Sequence, residues 1–401
     1  MPEFRIKVAV SLNAVPAQAW NVCANPAHVA PPCPADALDR PETYNPFVSH
    51  AFLSALEDSG SVGGRTGWTP AHVLVETADG ALVGAAPSYL KTHSQGEYVF
   101  DHAWAEAYMR AGGRYYPKLQ VSVPFTPVTG PRLLVAPGAN RAVVERALIE
   151  GLRALCAETK SSSTHLTFLP PDQGERLAEQ GLLLRTDQQF HWFNEGYGSF
   201  DDFLEALASR KRKAIRRERR DALGAGVTVD WVTGRDITEA HWDAFFAFYT
   251  DTSSRKWGRP YLNRRFFSLI GERMPERILL MIAKRAGRPI AGALNFIGDA
   301  CLYGRNWGCV EDHPFLHFEV CYYQAIEFAI ARGLSCVEAG AQGEHKLARG
   351  YRPVTTTSAH DIADPALRRA IAEYLARERR YVAEAAAELS ETMPFRRAAE
   401  T

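Results

Sequence analysis

The chain has no charge excess: its 401 residues hold 46 Lys and Arg against 46 Asp and Glu. Bulk charge therefore points to no nucleic-acid partner, and only a local concentration of cations could do so. No apolar run approaches the roughly 20 residues that cross a bilayer. The opening residues, MPEFRIKVAVSLNAVPAQAW, contain neither the apolar core nor the small-residue cleavage site of a secretory signal. Cysteine is scarce and shows no C-x-x-C pair; the seven are Cys23, Cys33, Cys156, Cys301, Cys309, Cys321 and Cys336. An odd number without paired spacing argues for reduced thiols, several of them small core residues. The expectation is a cytoplasmic protein without a transmembrane segment. Catalytic signatures are missing as well. There is no G-x-S-x-G, no H-E-x-x-H and no P-loop, and the H-x-E at 317–319 lacks the P-C-x-x-C of a zinc deaminase. No metal is expected.

What is present is a globular composition, 46% apolar, over a length that suits two domains. The two halves resemble each other. In AHVLVETADGALVGAAPSYLK (71–91) an apolar run reaches Asp79-Gly80, a hairpin signal, and a second run follows with Gly84 inside it. In ILLMIAKRAGRPIAGALNFIG (278–298) the run reaches Gly287-Arg288-Pro289, and Gly292 lies in the second run. Ala78–Ala85 aligns with Ala286–Ala293. A helix pattern follows each hairpin, at 140–158 and at 315–332, then a short strand (THLTFL, SCVEAG) and a further one (GLLLRTDQQFHWF, VTTTSAHDI). Two copies of one α/β unit is the economical reading.

Between the halves lies GSFDDFLEALASRKRKAIRRERRDALGAG. Ser199 ahead of two aspartates starts a helix. Phe200, Phe203, Leu204 and Leu207 give it an apolar stripe that Ile215 resumes, and Gly224 ends it. Arg210, Lys211, Arg212, Lys213, Arg216, Arg217, Arg219 and Arg220 crowd this segment, with Glu218 against them. Such a cluster suits tRNA phosphates, a CoA pyrophosphate or an anionic lipid headgroup. A last helix begins at Asp364-Pro365, a cap followed by proline at the first helical position.

A hairpin of the form G-x-(P/L)-(I/V)-x-G-A, a following helix and a strand splaying into a cleft resemble the GNAT acyltransferase fold. Two such units joined by a basic helix resemble the Fem-type family, relatives of the peptidoglycan-bridge aminoacyltransferases, and within it the FemAB-like, peptidoglycan biosynthesis/recognition group. The likeness is carried by NPFVSHAFLSALEDSG (45–60), SRKRKAIRRERR (209–220), LYGRNWGC (302–309), FLHFEVCYYQAIEFAIARGL (315–334) and VEAGAQGEHKLARGYRPV (337–354), and spans nearly the whole chain. It implies an α/β protein of two tandem GNAT-like (acyl-CoA N-acyltransferase-like) domains, with mixed β-sheets flanked by helices. An N-terminal domain over 1–195 would be a degenerate, supporting copy, followed by a basic connecting helix over 196–225. A C-terminal domain over 226–365 would carry the active cleft, with a helix and tail over 366–401. The resemblance also implies a lysine at the reaction centre. Glu338-Ala339-Gly340 and Lys346-x-x-x-Gly350-Tyr351 are similar to the family's acidic-Gly strand end and its Lys before Gly-aromatic, with Leu347-Ala348-Arg349 altering the spacing.

Acyl transfer to an amine needs a proton acceptor and positive charge near the developing oxyanion. Lys346, Glu344 and His345 offer these together; the bland alternative is an exposed charged turn. Glu319 and His317 are the other catalytic candidates. Glu319 shares a helical face with Tyr322, Tyr323, Ile326 and Ile330, so burial could raise its pKa toward that of a working base. Its alternative is a helix cap or an ion pair with Arg305 or Lys346. On a regular strand Tyr303, Arg305 and Trp307 point one way and Asn306 the other. These four, with Gln342 and Tyr351, are candidate substrate contacts, Arg305 as the anion holder. Arg210, Lys211, Arg212, Lys213, Arg216 and Arg217 are candidates for the donor's phosphates.

The donor is narrowed by one more absence. An acetyl-CoA enzyme of this fold usually carries R/Q-x-x-G-x-G/A before its central helix, where backbone N–H groups cradle pyrophosphate. VEDHPFLHFEV (310–320) has no glycine, and VAPGANRAVVER (135–146) has only Pro137-Gly138. The expected reaction moves an acyl or aminoacyl group to an amine acceptor. Charged tRNA is favoured over acetyl-CoA as donor, and no cofactor is tightly bound. Two other readings stay open: an acetyl-CoA-dependent N-acetyltransferase, and a non-catalytic binding protein for cell-wall precursors or an anionic surface.

Overall fold

The computed structural model describes residues 4–26, 44–256, 258–340, 343–391 and 393–396. Along the chain run β1 (Phe4–Ala9), α1 (Ala17–Ala24), α2 (His50–Asp58), β2 (Trp68–Pro70), β3 (His72–Thr77), β4 (Leu82–Ala86), β5 (Ser88–Lys91), α3 (His102–Arg110), β6 (Lys118–Val121), β7 (Leu134–Val135), α4 (Arg141–Glu158), β8 (Ser163–Leu169), α5 (Pro171–Glu179) and β9 (Leu183–Phe193). There follow α6 (Phe200–Ala206), α7 (Ser209–Ala222), β10 (Val227–Thr233), α8 (Glu239–Lys256), α9 (Arg264–Arg273), β11 (Ile278–Arg285), β12 (Arg288–Ile297), β13 (Cys301–Cys309), α10 (Leu316–Phe318), α11 (Gln324–Ala331), β14 (Cys336–Glu338), β15 (Arg352–Ile362) and α12 (Pro365–Glu391).

Two compact units form, Met1–Asp187 with Thr355–Ala383, and Gln188–Val354 with Glu384–Thr401. The division is discontinuous, where a continuous one at 195 and 226–365 was expected. Strand pairing is the reason. Residues Thr357–Ile362 of β15 pair antiparallel with β8, which places them in the first unit. His191–Phe193 of β9 pair antiparallel with β14 in the second. Each unit thus repeats the expected order of hairpin, helix and parallel strand, and closes on a strand from the other half of the sequence.

In the first unit β1, β3, β4 and β7 make one sheet, and β15, β8, β6, β5 and β2 follow one another in a second run. Asn140 caps α4 by accepting from the Val143 N–H at 3.2 Å. Leu148 and Leu152 of that helix, with Leu119, Val121 and Leu166 of the strands, build an apolar core. The opposite strand face is polar and equally buried. There Lys118 donates to Ser94 at 2.8 Å and to Glu97 at 2.7 Å, and it also binds Asp101. His165 and His360 meet through their Nδ1 atoms at 2.7 Å.

In the second unit the run is β10, β11, β12, β13, β14 and β9, antiparallel except for β13 with β14. Ser199 caps α6 as expected, accepting from the Asp202 N–H at 3.1 Å. The single helix expected from Ser199 to Gly224 is two. Leu207 turns extended and forms an isolated bridge with Phe395, and the Ala208 N–H donates to the Pro394 carbonyl at 2.8 Å. The helix expected at 315–332 is present, but five residues in it, Glu319–Tyr323, form a π-turn between α10 and α11. Tyr323, Ile326, Phe328 and Ile330 pack on Leu302, Val337 and Trp192. Burying each such side chain contributes about 1.5–3 kcal/mol, so the apolar side of the helix fixes its seat on the sheet.

Candidate functional site

Parallel strands β13 and β14 stay in register for three pairs, Cys301 with Cys336, Leu302 with Val337 and Tyr303 with Glu338. Beyond Glu338 the chain leaves the sheet through Gly340, whose φ is +76°, and a cleft opens where the strands part. A bulge shapes it. Leu294 of β12 faces Asn306 while the next residue, Asn295, faces Gly304, so Arg305 is the extra residue. The bulge breaks the alternation expected for this strand. Arg305, Asn306 and Trp307 all line the cleft, and Asn306 does not turn away from them. Tyr303 lies buried, with the Arg305 guanidinium 5.3 Å from its ring centroid. A Cβ on Gly304 would stand 3.3 Å from Asn295 Oδ1, so Asn295 would have to give by a few tenths of an ångström.

The cleft holds about 90 Å³. It adjoins a cavity of about 290 Å³ with which it shares Trp307 and His317. Arg305 Nη2 donates to Glu338 Oε1 at 2.6 Å, and its Nη1 donates to the Gly304 carbonyl at 2.8 Å. Lys346 is buried behind the cleft wall. Its Nζ donates to the carbonyls of Ala339 at 2.7 Å and Gly340 at 3.1 Å, which holds the strand end in its splayed course. Burial, helped by the Arg305 charge, pushes the Lys346 ammonium down to about 8.

His317 packs edge-on against the rings of Trp307 and Tyr322, 5.3 and 5.4 Å away between centroids. His345 is exposed, and its Nε2 lies 2.9 Å from the Tyr322 hydroxyl, which opens on the cleft. Although the residue as a whole is exposed, partial desolvation of its ring, with the Arg349 and Lys346 charges, holds the His345 pKa below the usual histidine value. Glu319 is fully buried and belongs to a different constellation: Arg219 donates to both its oxygens, and Gln324 Nε2 donates at 2.7 Å. Its partner is therefore the basic helix, not Arg305 or Lys346. Tyr351 is buried beneath Tyr322, its hydroxyl without a hydrogen-bond partner among the described residues. Glu344 begins the turn Glu344–Arg349. Its side chain, and the whole of Gln342, lie outside the described residues.

Helix α7 sorts its cations by face. Arg212, Arg216 and Arg219 are engaged, with Glu205, with Asp201 and with the Glu319 and Glu327 carboxylates respectively. Arg210, Lys213 and Arg217, at offsets of three and seven, fall on one exposed stripe and make no ion pair among the described residues. Lys211 lies between the two faces, also without an ion pair among them.

Among the cleft residues that a reading of the sequence does not single out, three carry a polar side chain or a thiol: Asn295, Cys321 and Tyr322. Tyr322 was counted in the apolar stripe, because a 3.6-residue period places it there. It lies within the π-turn, buried in that stripe, and also lines the cleft. Among the described residues no three His, Cys, Asp or Glu side chains gather to hold a metal ion.

A family model, FemAB-like, described as peptidoglycan biosynthesis/recognition, matches residues 11–397. No curated protein matches. The chain is similar to the crystal structure of FemX, at 12% identity and a TM-score of 0.54, over 92% of this chain and 100% of that one. It is also similar to L-PGS from Bacillus licheniformis, at 9% identity and 0.48, over 80% and 92%. A tandem GNAT protein from the clavulanic acid biosynthesis pathway matches at 13% identity and 0.45, over 90% and 99%. The likeness to FemX bears on the fold alone, and the fold is the tandem GNAT-like α/β architecture expected from the sequence.

Proposed function

The chain belongs to the FemAB-like family, and from that premise we propose that it is an acyltransferase moving an acyl or aminoacyl group to an amine held in the β13–β14 cleft. The observation that carries the reading is the His345–Tyr322 hydrogen bond at 2.9 Å, Tyr322 lining the same cleft as Arg305. The amine nitrogen attacks the acyl carbonyl carbon. A C–N bond forms, and the carbonyl electron pair moves to oxygen. Collapse breaks the bond to the donor's ribose oxygen or CoA sulfur. The amine's proton passes through the Tyr322 hydroxyl to His345, which is neutral at pH 7 because its pKa is lowered. It then goes to the leaving atom. Arg305 and the buried Lys346 supply positive potential where the oxyanion forms.

Charged tRNA is the donor favoured here. The stripe of Arg210, Lys213 and Arg217 offers exposed cations to a phosphate backbone, and 310–320 has no glycine for a pyrophosphate cradle. The six described cysteines are free thiols, which suits a cytoplasmic reaction.

Two experiments test the reading. Tyr322→Phe keeps the melting temperature and lowers kcat by about 10²-fold or more, the range of general acid–base catalysis; a fully active variant removes the relay. Thermal shift and calorimetry then compare charged tRNA with acetyl-CoA. A ligand at a hundred times its Kd adds about 2.7 kcal/mol. Charged tRNA binding that weakens steeply with salt supports the donor assignment, and tight acetyl-CoA binding replaces it with an N-acetyltransferase. Binding of cell-wall precursors with no turnover on either donor makes this a recognition protein.

A further inference from the structure

At the closed end of the same strand pair lie two thiols that the acyl-transfer reading does not use. Cys301 and Cys336 are direct register partners on β13 and β14. Neighbouring strands run about 4.7–4.9 Å apart, inside the Cα separation of roughly 4.4–6.8 Å that a disulfide spans. Strand alternation puts both side chains on one face, with Tyr303, Glu338 and His191. The Cys301 thiol donates to the Leu302 carbonyl at 3.7 Å, and His191 Nε2 lies 3.1 Å from Gln189 Oε1. Cys301 is buried and Cys336 half-buried. Phe193, the register partner of Cys336 on β9, is exposed, so this end of the sheet faces solvent.

We propose that Cys301 and Cys336 are a redox-active dithiol, Cys336 the attacking thiolate and Cys301 the resolving thiol, oxidised to a disulfide by a small peroxide. The Cys336 sulfur attacks one peroxide oxygen. An S–O bond forms, the O–O bond breaks, and one water leaves with the proton that His191 relays. The Cys301 sulfur then attacks the sulfenic sulfur, the S–S bond forms, and a second water leaves. Two thiols and one hydrogen peroxide give one disulfide and two waters, so two electrons pass from sulfur to oxygen. The assignment of roles follows the surroundings. The neighbouring Cys301 thiol and His191 ring bring the Cys336 thiol down to about 6 despite burial. Burial pushes Cys301 well up, with the Cys336 and Glu338 charges adding to it and Arg305 opposing. His191 is raised. Burial opposes its charge, but the Cys336 and Glu338 partners outweigh burial and the Arg305 charge.

The test uses the full-length protein and hydrogen peroxide. Graded peroxide, blocking of the remaining thiols and peptide mapping without reductant should reveal a 301–336 disulfide before any oxidation of Cys309 or Cys321, which are also half-buried. Dithiothreitol should return both thiols. In Cys301→Ser the reaction should stop at a Cys336 sulfenic acid that dimedone traps, and in Cys336→Ser no dimedone adduct should form at Cys301. The alkylation rate of Cys336 should reach half its maximum at least one pH unit below the value of about 8.5 of an unperturbed thiol. If peroxide oxidises Cys309 or Cys321 first, or if no 301–336 link forms while Cys336 alkylates with an ordinary thiol profile, the pair is inert core and the proposal fails.

Discussion

The carboxylate of Glu319, fully buried, is clasped by the Arg219 guanidinium, with Nε 3.0 Å from one oxygen and Nη2 2.9 Å from the other. A second carboxylate about two turns further along, Glu327 of α11, accepts from the same guanidinium at 2.7 Å, and the Arg219 guanidinium carbon lies 4.4 Å from the Phe200 ring centroid. Removing one partner of such a pair leaves the other charge buried and uncompensated, at a cost of about 3–5 kcal/mol. Arg219→Ala should therefore lower stability by that order in urea titration. Glu319→Gln, which keeps shape and an accepting oxygen, should cost less and retain kcat within a few-fold. A loss of turnover in the folded Glu319→Gln protein would return Glu319 to the role of base.

Lys346 gives a pH dependence. Its ammonium is held near 8 by burial, below the ordinary lysine value of about 10.4. The cation is complete at pH 7 and is lost as pH rises through 8. Positive potential at the strand split declines with it, so turnover should show an alkaline limb near pH 8. Lys346→Arg cannot titrate in this range, and whatever activity it keeps should show that limb moved beyond pH 9. Lys346→Ala leaves the Ala339 and Gly340 carbonyls without their donor and should lower kcat more than tenfold in a protein that still folds. An unmoved limb in the arginine variant would assign the titration to another group.

The repeat was legible because turns and periods are local. Asp79-Gly80 marks a hairpin wherever it stands, and Gly80 takes the φ of +87° that its turn needs. Ser199 and Asp364 announced their helices by the same local chemistry. Lys346 and Arg305 stand out in the sequence because polar side chains crowd a strand end. What stayed hidden depends on the partner strand or on distant chain. The bulge at Arg305 is a mismatch with β12 and has no signature within β13. Tyr322 keeps its place in the buried stripe while its hydroxyl meets His345, a contact with a residue 23 positions on that helical spacing does not announce. The break at Leu207 exists because Phe395 pairs there. The exchange of β9 and β15 between units is a choice of pairing partner between two similar strands.

A second pH dependence belongs to stability and to the first unit. His165 and His360 share one short hydrogen bond between Nδ1 atoms, in which one donates and the other accepts. Burial, with the Lys118 charge, pushes His165 down to about 3. Burial and the neighbouring His165 push His360 well down. Both folded values lie below the unfolded value of about 6.5. Between them the unfolded chain binds more protons, so stability is complete above pH 6.5 and falls as pH falls toward 3. The melting temperature should drop from pH 7 to pH 5. His165→Gln with His360→Gln should flatten that slope, even at a lower melting temperature overall. A slope unchanged in the double variant would place the acid sensitivity elsewhere.

The last expectation concerns the floor on which the second unit is built. Gly292 of β12 and Gly308 of β13 are register partners, and α8 lies directly on them. A Cβ on Gly308 would stand 2.2 Å from the carbonyl carbon and oxygen of Phe248, and one on Gly292 would stand 3.3 Å from the Phe245 ring. The obstacle at Gly308 is backbone, which no rotamer change can clear. Gly308→Ala must push α8 away from the sheet, and Trp307, beside it, carries that shift into the cleft wall. Overpacking of this kind costs about 1–3 kcal/mol. The variant should melt several degrees lower and bind donor more weakly than the parent. Gly224→Ala, where a Cβ meets nothing within 4 Å, is the matched control and should change neither. Equal melting of the Gly308→Ala protein and the control would mean that the helix can retreat without cost, and that the glycine pair does not set the distance between α8 and the sheet.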